Sequence, residues 1–329
     1  MSITSKEQIL KVLKAFNPWW ATGAVHPDFT KSYRRFAYYE AMKRLEQTDL
    51  RRTVVLTGTR RVGKKTIQYQ MIDTLLKKQI PPQRIVFISM DHPMLKLSGL
   101  NEILECYHEN IYAEQDCYYF FDEIQYASNW DKWMKTIYDL QPSTQMVATG
   151  SASPALLKGS SESGTGRWSV IQVPTLSFFE YCALIGVKIP ELGPEVRPIA
   201  FAHMSQQERT GIMLKLEGVQ NHFMRHLQVG GLPELALASN DLIVQQIMRE
   251  DVVDKVLKRD LPFLYSIRSA TELERIFLYL WGASVVVTKR PEDYSTHHVP
   301  DGRELIRIPA FAFLYLLGNA ERYGYRGIT

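Results

Sequence analysis

Apolar residues follow two different spacings along the chain, and each spacing predicts one kind of element. From residue 53 onward, short apolar runs typical of buried strands alternate with segments whose apolar residues recur every three or four positions, as in helices. Strands that alternate with helices in this way indicate a parallel sheet with helices on both faces, so the pattern predicts an α/β fold. The predicted strands are 53–57, 84–90, 117–121, 145–149 and 168–173.

The segments on either side of these strands are predicted to be helical. Near the amino terminus, Ser5 and Gln8 have the spacing of a capping box, and the apolar stripe behind them ends at Asn17. The basic and aromatic residues at 33–39 are predicted to lie in a second helix that packs against the next domain, with contact to a ligand as the alternative. Beyond Pro174 the strand pattern stops. The helices predicted there are 205–227, 241–258 and 271–283.

These patterns divide the chain into four predicted parts. They are an N-terminal helical segment at 1–50, an α/β core at 51–182, a small all-helical domain at 183–284 and a tail at 285–329. The tail contains three prolines, a run of mixed charge and a short apolar stretch, and no regular spacing assigns it to an element. A folded protein of several parts is therefore expected.

Composition narrows the class of protein. Of the 329 residues, 45% are hydrophobic and 22% are charged, which excludes disordered, collagen-like and disulfide-scaffold proteins. Lys and Arg number 39 and Asp and Glu 35, a net charge of +4 that neither indicates nor excludes a nucleic-acid partner. The three cysteines are scattered without metal-ligand spacing, as is typical of a reducing compartment. Because no stretch resembles a signal peptide or a membrane span, we expect a cytoplasmic protein without a membrane partner.

The segment between the first predicted strand and the helix after it has the spacing of a phosphate-binding loop. Its sequence is GTRRVGKKT, with glycines at 58 and 63 and a lysine at 64. A phosphate requires unshielded backbone N–H groups, a helix N-terminus and a flexible cation, and this pattern supplies all three. The alternative is a glycine turn with a solvated basic patch. The residues predicted to bind nucleotide are Gly58, Thr59, Arg60, Arg61, Val62, Gly63, Lys64, Lys65 and Thr66.

One position of this loop departs from the usual pattern. After the loop lysine, a serine or threonine hydroxyl normally coordinates Mg²⁺, but this chain has Lys65, and Thr66 follows one residue later. One residue along a helix turns a side chain by about 100°, so Thr66 reaches a metal only if the loop shifts its register. An ammonium at this position repels Mg²⁺, and we therefore expect nucleotide binding to survive better than hydrolysis. The alternative is that Lys65 turns into solvent and water fills the metal position.

Two carboxylates follow the third predicted strand. Asp122 is placed to hold Mg²⁺ through water, and Glu123 is placed to polarise the water that attacks the γ-phosphate. An apolar run that ends in Asp-Glu is common on its own, but its position some sixty residues after the loop makes the pair more specific. The predicted metal ligands are thus Asp122 and Thr66, and the predicted catalytic residues include Lys64 and Glu123.

Polar residues after the fourth strand and before the fifth are further candidates. Thr149 or Ser151 is predicted to sense the γ-phosphate, with simple turn chemistry as the alternative. Arg167 is predicted to stabilise γ-phosphate charge in its own chain or in a neighbouring one. Arg60 and Arg61 are the other candidates for that role.

Taken together, these motifs resemble a family of prokaryotic AAA-like ATPases of the additional-strand, catalytic-glutamate type. The resemblance covers about residues 7–284 and includes the loop, the FDEIQ string at 121–125, Thr149-Gly150-Ser151 and the GGLP string at 230–233. It implies a five-stranded parallel sheet of order 5-1-4-3-2, with ATP and Mg²⁺ at the carboxyl ends of the strands and the helical segment as a lid. The roles of Lys64, Asp122 and Glu123 carry over, whereas Lys65 stands where the family has a hydroxyl.

Two hypotheses of function follow from these residues. The first is an ATP-driven switch that binds ATP and ADP and passes its motion to an unidentified macromolecule, protein or nucleic acid, with an oligomer possible. The second is a nucleotide-binding scaffold that does not hydrolyse ATP, which Lys65 favours. A small-molecule phosphotransferase fits less well because the carboxylate pair suits water activation. A GTPase fits least, since the chain has no Asn-Lys-x-Asp string.

Overall fold

The computed structural model describes residues 5–47, 49–150, 166–248, 250, 287–288, 295–298 and 304–326. The chain divides into two units, Met1–Pro174 and Thr175–Thr329. The predicted N-terminal segment at 1–50 thus belongs to the same unit as the predicted strands. In the part of the chain that the structure describes, no helix is long and apolar enough to span a bilayer.

A five-stranded parallel sheet forms the centre of the first unit. Its strands follow the order β2-β3-β4-β1-β5, which confirms the predicted order 5-1-4-3-2. Every residue of β1 and β2 is buried, as expected for strands that helices cover on both faces. The strands are β1 Thr53–Thr57, β2 Ile85–Ser89, β3 Tyr118–Asp122, β4 Gln145–Gly150 and β5 Trp168–Gln172.

Helices of this unit lie before and between the strands. They are α1 Lys6–Phe16, α2 Trp19–Thr22, α3 Phe36–Glu46, α4 Lys64–Lys77, α5 Pro93–Lys96, α6 Leu100–Asn110 and α7 Trp130–Leu140, with 3-10 turns at Pro27–Phe29, Pro82–Arg84 and Ile124–Tyr126. The predicted capping box is present, because Ser5 accepts from Gln8 N–H and Gln8 accepts from Ser5 N–H. The longer helices bury apolar faces, such as Met134 and Ile137 of α7.

Side chains of the N-terminal segment cover the outer edge of β2. Asn17 Nδ2 donates to the oxygen of Phe87 over 2.8 Å, and the N–H of Phe87 donates to Asn17 Oδ1 over 2.6 Å. The indole N–H groups of Trp19 and Trp20 both donate to the oxygen of Ile85, over 3.0 and 2.8 Å. An edge strand otherwise exposes its N–H and C=O groups to pairing with another chain. The Asn-Pro-Trp-Trp string therefore completes the sheet on this side.

The second unit is helical up to Met248 and contains a small sheet later in the chain. A single helix was predicted at 205–227, but the structure has two, because the ladder tightens to an i→i+3 bond from His222 N–H to Val219 O. The predicted helix at 271–283 lies outside the described residues, as does 249–258 apart from residue 250. The helices are α8 Phe178–Leu184, α9 Pro198–His203, α10 Gln206–Gln220, α11 Phe223–Gln228, α12 Pro233–Ala236 and α13 Asp241–Met248.

The described part of the predicted tail contains β6 Val287–Thr288, β7 Ser295–His298, β8 Glu304–Pro309 and α14 Ala310–Arg326. These strands form a sheet of order β6-β8-β7 that no spacing in the sequence indicated. α14 packs closely on α8, where the ring of Tyr315 lies 5.3 Å from that of Phe179. A Cβ at Gly318 would stand 2.3 Å from the Cβ of Phe179, so this approach requires glycine.

Candidate nucleotide-binding site

The loop between β1 and α4 has the backbone that its two glycines predict. Gly58 has a φ of 150°, and a Cβ at this position would stand 2.3 Å from the carbonyl oxygen of Val173. Gly63 has a φ of 92° and directly precedes the first turn of α4. Both positions therefore favour glycine, and the loop ends at the N-terminus of a 14-residue helix, where N–H groups and the helix dipole attract anions.

Lys64 is folded back on this loop. Its ammonium donates to the carbonyl oxygens of Gly58 and Thr59, each over 2.9 Å, and the residue is 6% exposed. Burial lowers the pKa of Lys64, and the negative charges of Glu123 and Asp122 act in the opposite direction. Among the described residues, this buried cation donates to neutral carbonyl oxygens, and it is placed to exchange them for an anionic phosphate.

A short hydrogen-bonded chain joins the carboxyl ends of β3 and β4. Thr149 Oγ1 donates to Asp122 Oδ1 over 2.7 Å and accepts from the N–H of Glu123 over 3.0 Å. Burial raises the pKa of Asp122, while Lys65 and the hydrogen bond from Thr149 lower it. The structure thus brings the predicted sensor Thr149 together with both predicted carboxylates, whereas the other sensor candidate, Ser151, lies outside the described residues.

Glu123 has an unusual backbone and a side-chain partner. Its φ of 51° is in the left-handed region, which costs a non-glycine residue about 1–2 kcal/mol. Gln125 Nε2 donates to Glu123 Oε2 at the start of the 3-10 turn that follows. The turn and this amide fix the direction of the Glu123 carboxylate at the end of β3.

Lys65 pairs with the carboxylate that was predicted to hold the metal. Lys65 Nζ lies 3.2 Å from Asp122 Oδ2 and 3.4 Å from Ser89 Oγ. Thr66, one residue further along α4, is half-buried. The contact with Asp122 that the structure shows is made by Lys65.

This arrangement does not fit a Mg²⁺ ion at Asp122. Mg²⁺ takes oxygen ligands in near-octahedral geometry at about 2.0–2.1 Å, and residue 65 contributes an ammonium instead of an oxygen. Among the described residues, no group of three or more His, Cys, Asp or Glu side chains is arranged to hold a metal. We therefore derive no step of the chemistry through a metal ion.

Arg35 supports the loop and was missed as a site residue. Its Nη1 donates to the carbonyl oxygens of Val62 over 2.7 Å and Pro174 over 2.9 Å, and the residue is 6% exposed. The guanidinium thus ties the loop to the chain that follows β5. The one signal in the sequence was the basic and aromatic composition of 33–39, which was interpreted as helix packing.

The predicted arginines lie in different places. Arg60 is exposed in the loop and donates to Tyr126 OH over 3.3 Å, and Arg61 has a positive φ of 64°. Arg167 is paired with Asp139 at 3.1 Å.

Arg167 stands at the amino end of β5, because Thr53 N–H donates to its carbonyl oxygen and β1 and β5 run parallel. The loop follows the carboxyl end of β1, so the length of one strand, about 16 Å, separates it from Arg167. A contact of Arg167 with a phosphate in its own chain does not fit this placement.

The chain is similar to several known proteins. Residues 50–182 match a family model described as an AAA domain. Two uncharacterized proteins of Methanocaldococcus jannaschii are similar over most of the chain. MJ1544 is 24% identical over 280 residues, which are 84% of this chain and 58% of that protein. MJ1637 is 27% identical over 311 residues, which are 92% of this chain and 56% of that protein. The chain thus spans little more than half the length of these relatives.

Two solved structures are also similar. One is a Walker-type ATPase of Pyrococcus abyssi, with a TM-score of 0.42 and 14% identity over 89% of this chain and 99% of that one. The other is the ORC2 protein of Aeropyrum pernix, with a TM-score of 0.35 and 9% identity over 88% of this chain and 92% of that one.

Proposed function

We propose that this chain is an AAA-like P-loop ATPase that binds ATP and ADP at its loop and acts as a nucleotide-driven switch, because residues 50–182 match a family model described as an AAA domain. The observation that supports this most is the position of Lys64, whose ammonium lies on the carbonyl oxygens of the loop at the start of α4. The triphosphate takes the place of those oxygens, and the N–H groups of the first turn of α4 hold it.

Hydrolysis in this proposal is slow and depends on Glu123. Its carboxylate, which Gln125 holds, positions the attacking water, and Lys64 offsets the charge that develops on the phosphate. The proton of the water goes to the carboxylate as the water oxygen attacks phosphorus in line with the leaving ADP. Lys65 weakens this step because its ammonium pairs with Asp122, where a Mg²⁺ ion would otherwise assist.

Thr149 connects the nucleotide with the rest of the fold in this proposal. Its hydroxyl is hydrogen-bonded to Asp122 and to the backbone of Glu123, so a movement of either group is transmitted to the carboxyl end of β4. The motion then passes to the lid domain that the sequence predicts at 183–284, and to a macromolecular partner, protein or nucleic acid.

A second candidate function is a nucleotide-binding scaffold that does not hydrolyse ATP. The ion pair of 3.2 Å between Lys65 and Asp122 favours it, because this pair removes the carboxylate from metal binding. Binding of nucleotide then stabilises one arrangement of the chain without a cycle of turnover.

Substitution of Glu123 by glutamine separates these functions. If the chain is a hydrolysing switch, Glu123→Gln abolishes phosphate release from ATP while ATP still binds. The exposed Glu105 provides a matched control, since Glu105→Gln leaves both properties as in the wild type. Phosphate release that Glu123→Gln does not change would overturn the switch, and no release from the wild type would favour the scaffold.

A further inference from the structure

The ammonium of Lys65 is held from several sides. Besides Asp122 Oδ2 at 3.2 Å and Ser89 Oγ at 3.4 Å, the rings of Phe16 and Phe87 lie with their centroids 5.5 and 5.3 Å from Nζ. Cations are attracted to aromatic faces at such distances. Residues from α1, β2 and β3 therefore stabilise one positive charge beside the loop.

The hydroxyl of Ser89 is oriented toward this charge. Its proton goes to Asp91, because Ser89 Oγ donates to Asp91 Oδ1 over 2.6 Å. The oxygen of Ser89 is then left with lone pairs that accept from the ammonium of Lys65. Asp122 is 4% exposed and accepts from Thr149 on its other oxygen, so its Oδ2 is directed to Lys65. These contacts hold the ammonium of Lys65 beside Asp122, while 45% of the Lys65 side chain stays exposed.

A divalent ion beside Asp122 would be repelled. Mg²⁺ would stand against the ammonium of Lys65, and like charges at contact distance repel each other. Mg²⁺ would also lack the hydroxyl that usually follows the loop lysine, because the side chain at position 65 offers only N–H donors. A phosphate, in contrast, accepts hydrogen bonds from an ammonium readily, and Lys65 directly follows Lys64, which lies on the loop.

We propose that the loop binds the triphosphate of ATP without a divalent cation, and that the ammonium of Lys65 supplies the positive charge beside the phosphates. This inference rests on the proposed nucleotide site. Lys65 remains close to Asp122 and adds an N–H donor toward a phosphate oxygen. The ATP bound here is therefore the metal-free tetra-anion, and Mg²⁺ in solution lowers its affinity by binding ATP outside the protein.

Titration with fluorescently labelled ATP tests this, first in EDTA and then in excess Mg²⁺. We expect the wild-type chain to bind in EDTA, and excess Mg²⁺ to weaken the binding by about tenfold or more, because Mg²⁺ removes metal-free ATP from solution. Lys65→Thr, which restores the hydroxyl, is expected to bind about tenfold more tightly with Mg²⁺ than with EDTA. Lys77→Thr is the matched control, because Lys77 lies exposed at the other end of α4, and we expect it to behave as the wild type.

The wild-type measurement decides the inference even if a variant fails to fold. Wild-type binding that is about tenfold tighter in Mg²⁺ than in EDTA would overturn it and leave the proposed nucleotide site intact. Lys65→Thr whose binding of ATP is weakened by Mg²⁺ as much as that of the wild type would also overturn it. An absence of binding in both buffers would overturn the nucleotide site and the inference together. Native mass spectrometry of the complex adds a second readout, with bound ATP expected at its mass without magnesium.

Discussion

Thr149 Oγ1 donates a hydrogen bond of 2.7 Å to Asp122 Oδ1, so the ends of two neighbouring strands share one buried polar pair. The same oxygen accepts from Glu123 N–H, and this second bond places the catalytic candidate relative to β4. A single hydroxyl thus contacts the carboxylate of Asp122 and the backbone of Glu123. Its removal tests whether the pair acts as a unit.

Thr149→Val keeps the shape of the side chain and removes this hydroxyl. The buried Asp122 carboxylate and the N–H of Glu123 then lose a partner, which costs about 1–3 kcal/mol of unfolding free energy. We expect phosphate release from ATP to fall by about tenfold because Glu123 is less well positioned. Urea denaturation and phosphate release measure the two effects. Thr136→Val, on an exposed turn of α7, is the control, and equal behaviour of the two variants would contradict the role of Thr149.

Arg35→Met tests whether the guanidinium supports the loop. The substitution keeps an apolar stem but removes the donors to Val62 O and Pro174 O, each worth about 1.5–3 kcal/mol as a charged hydrogen bond. We expect the affinity for ATP to fall by about tenfold or more. Arg34→Met removes a partly exposed arginine 3.8 Å from Asp73 and is expected to change neither affinity nor stability by much. Undiminished ATP binding by Arg35→Met would show that the loop keeps its shape without this contact.

Asn17→Ala tests the cover of the sheet edge. The N–H and C=O of Phe87 lose their partner, and we expect the unfolding free energy to fall by about 2–4 kcal/mol. The exposed edge of β2 is also expected to promote association, which light scattering detects. Asn110→Ala, which removes bonds to the carbonyl oxygen and the Sγ of Cys106 in its own helix, serves as the comparison. If both variants have the same urea midpoint, the edge contacts do not stabilise the sheet.

His226 predicts a pH dependence of the second unit. The residue is 8% exposed against the rings of Phe178 and Tyr181, and burial lowers its pKa from 6.5 to about 4. Because the folded state binds the proton less well, stability is full above pH 6.5 and is lost as the pH falls toward 4, by at most about 3 kcal/mol.

His226→Phe removes this dependence, whereas His222→Phe, at a half-buried position one turn earlier, keeps it. Urea denaturation between pH 4 and 7 measures the slope for each variant. A slope in His226→Phe equal to that of the wild type would assign the dependence to another group.

Much of the first unit was predictable because its signals are local. The strands are continuous apolar runs, and the loop needs glycine at 58 for steric reasons that any sequence with this turn must meet. The roles of Arg35 and Asn17 were not predictable in this way. Arg35 donates to a carbonyl oxygen 27 residues further along the sequence, and Asn17 donates to one 70 residues further along. Only the folded chain brings these partners together.

The remaining differences have similar causes. Arg167 follows a glycine-rich segment as an arginine finger would. Because β5 is parallel to β1, however, Arg167 lies at the amino ends of the strands, away from the loop of its own chain. The presence of Lys65 was evident from the sequence. Its contact with Asp122 was not, because it depends on the rings of Phe16 and Phe87 and on Ser89, which other elements bring next to it. In the later sheet, β6 has two residues and β7 has the polar sequence STHH, so neither forms an apolar run that predicts a strand.

The most direct test of the account is the affinity of the chain for ATP with and without the ammonium of Lys64. Titration with labelled ATP in EDTA is expected to give saturable binding to the wild type and to Lys77→Ala, and binding at least about tenfold weaker to Lys64→Ala. Binding to Lys64→Ala with undiminished affinity would contradict the assignment of this loop as the nucleotide site.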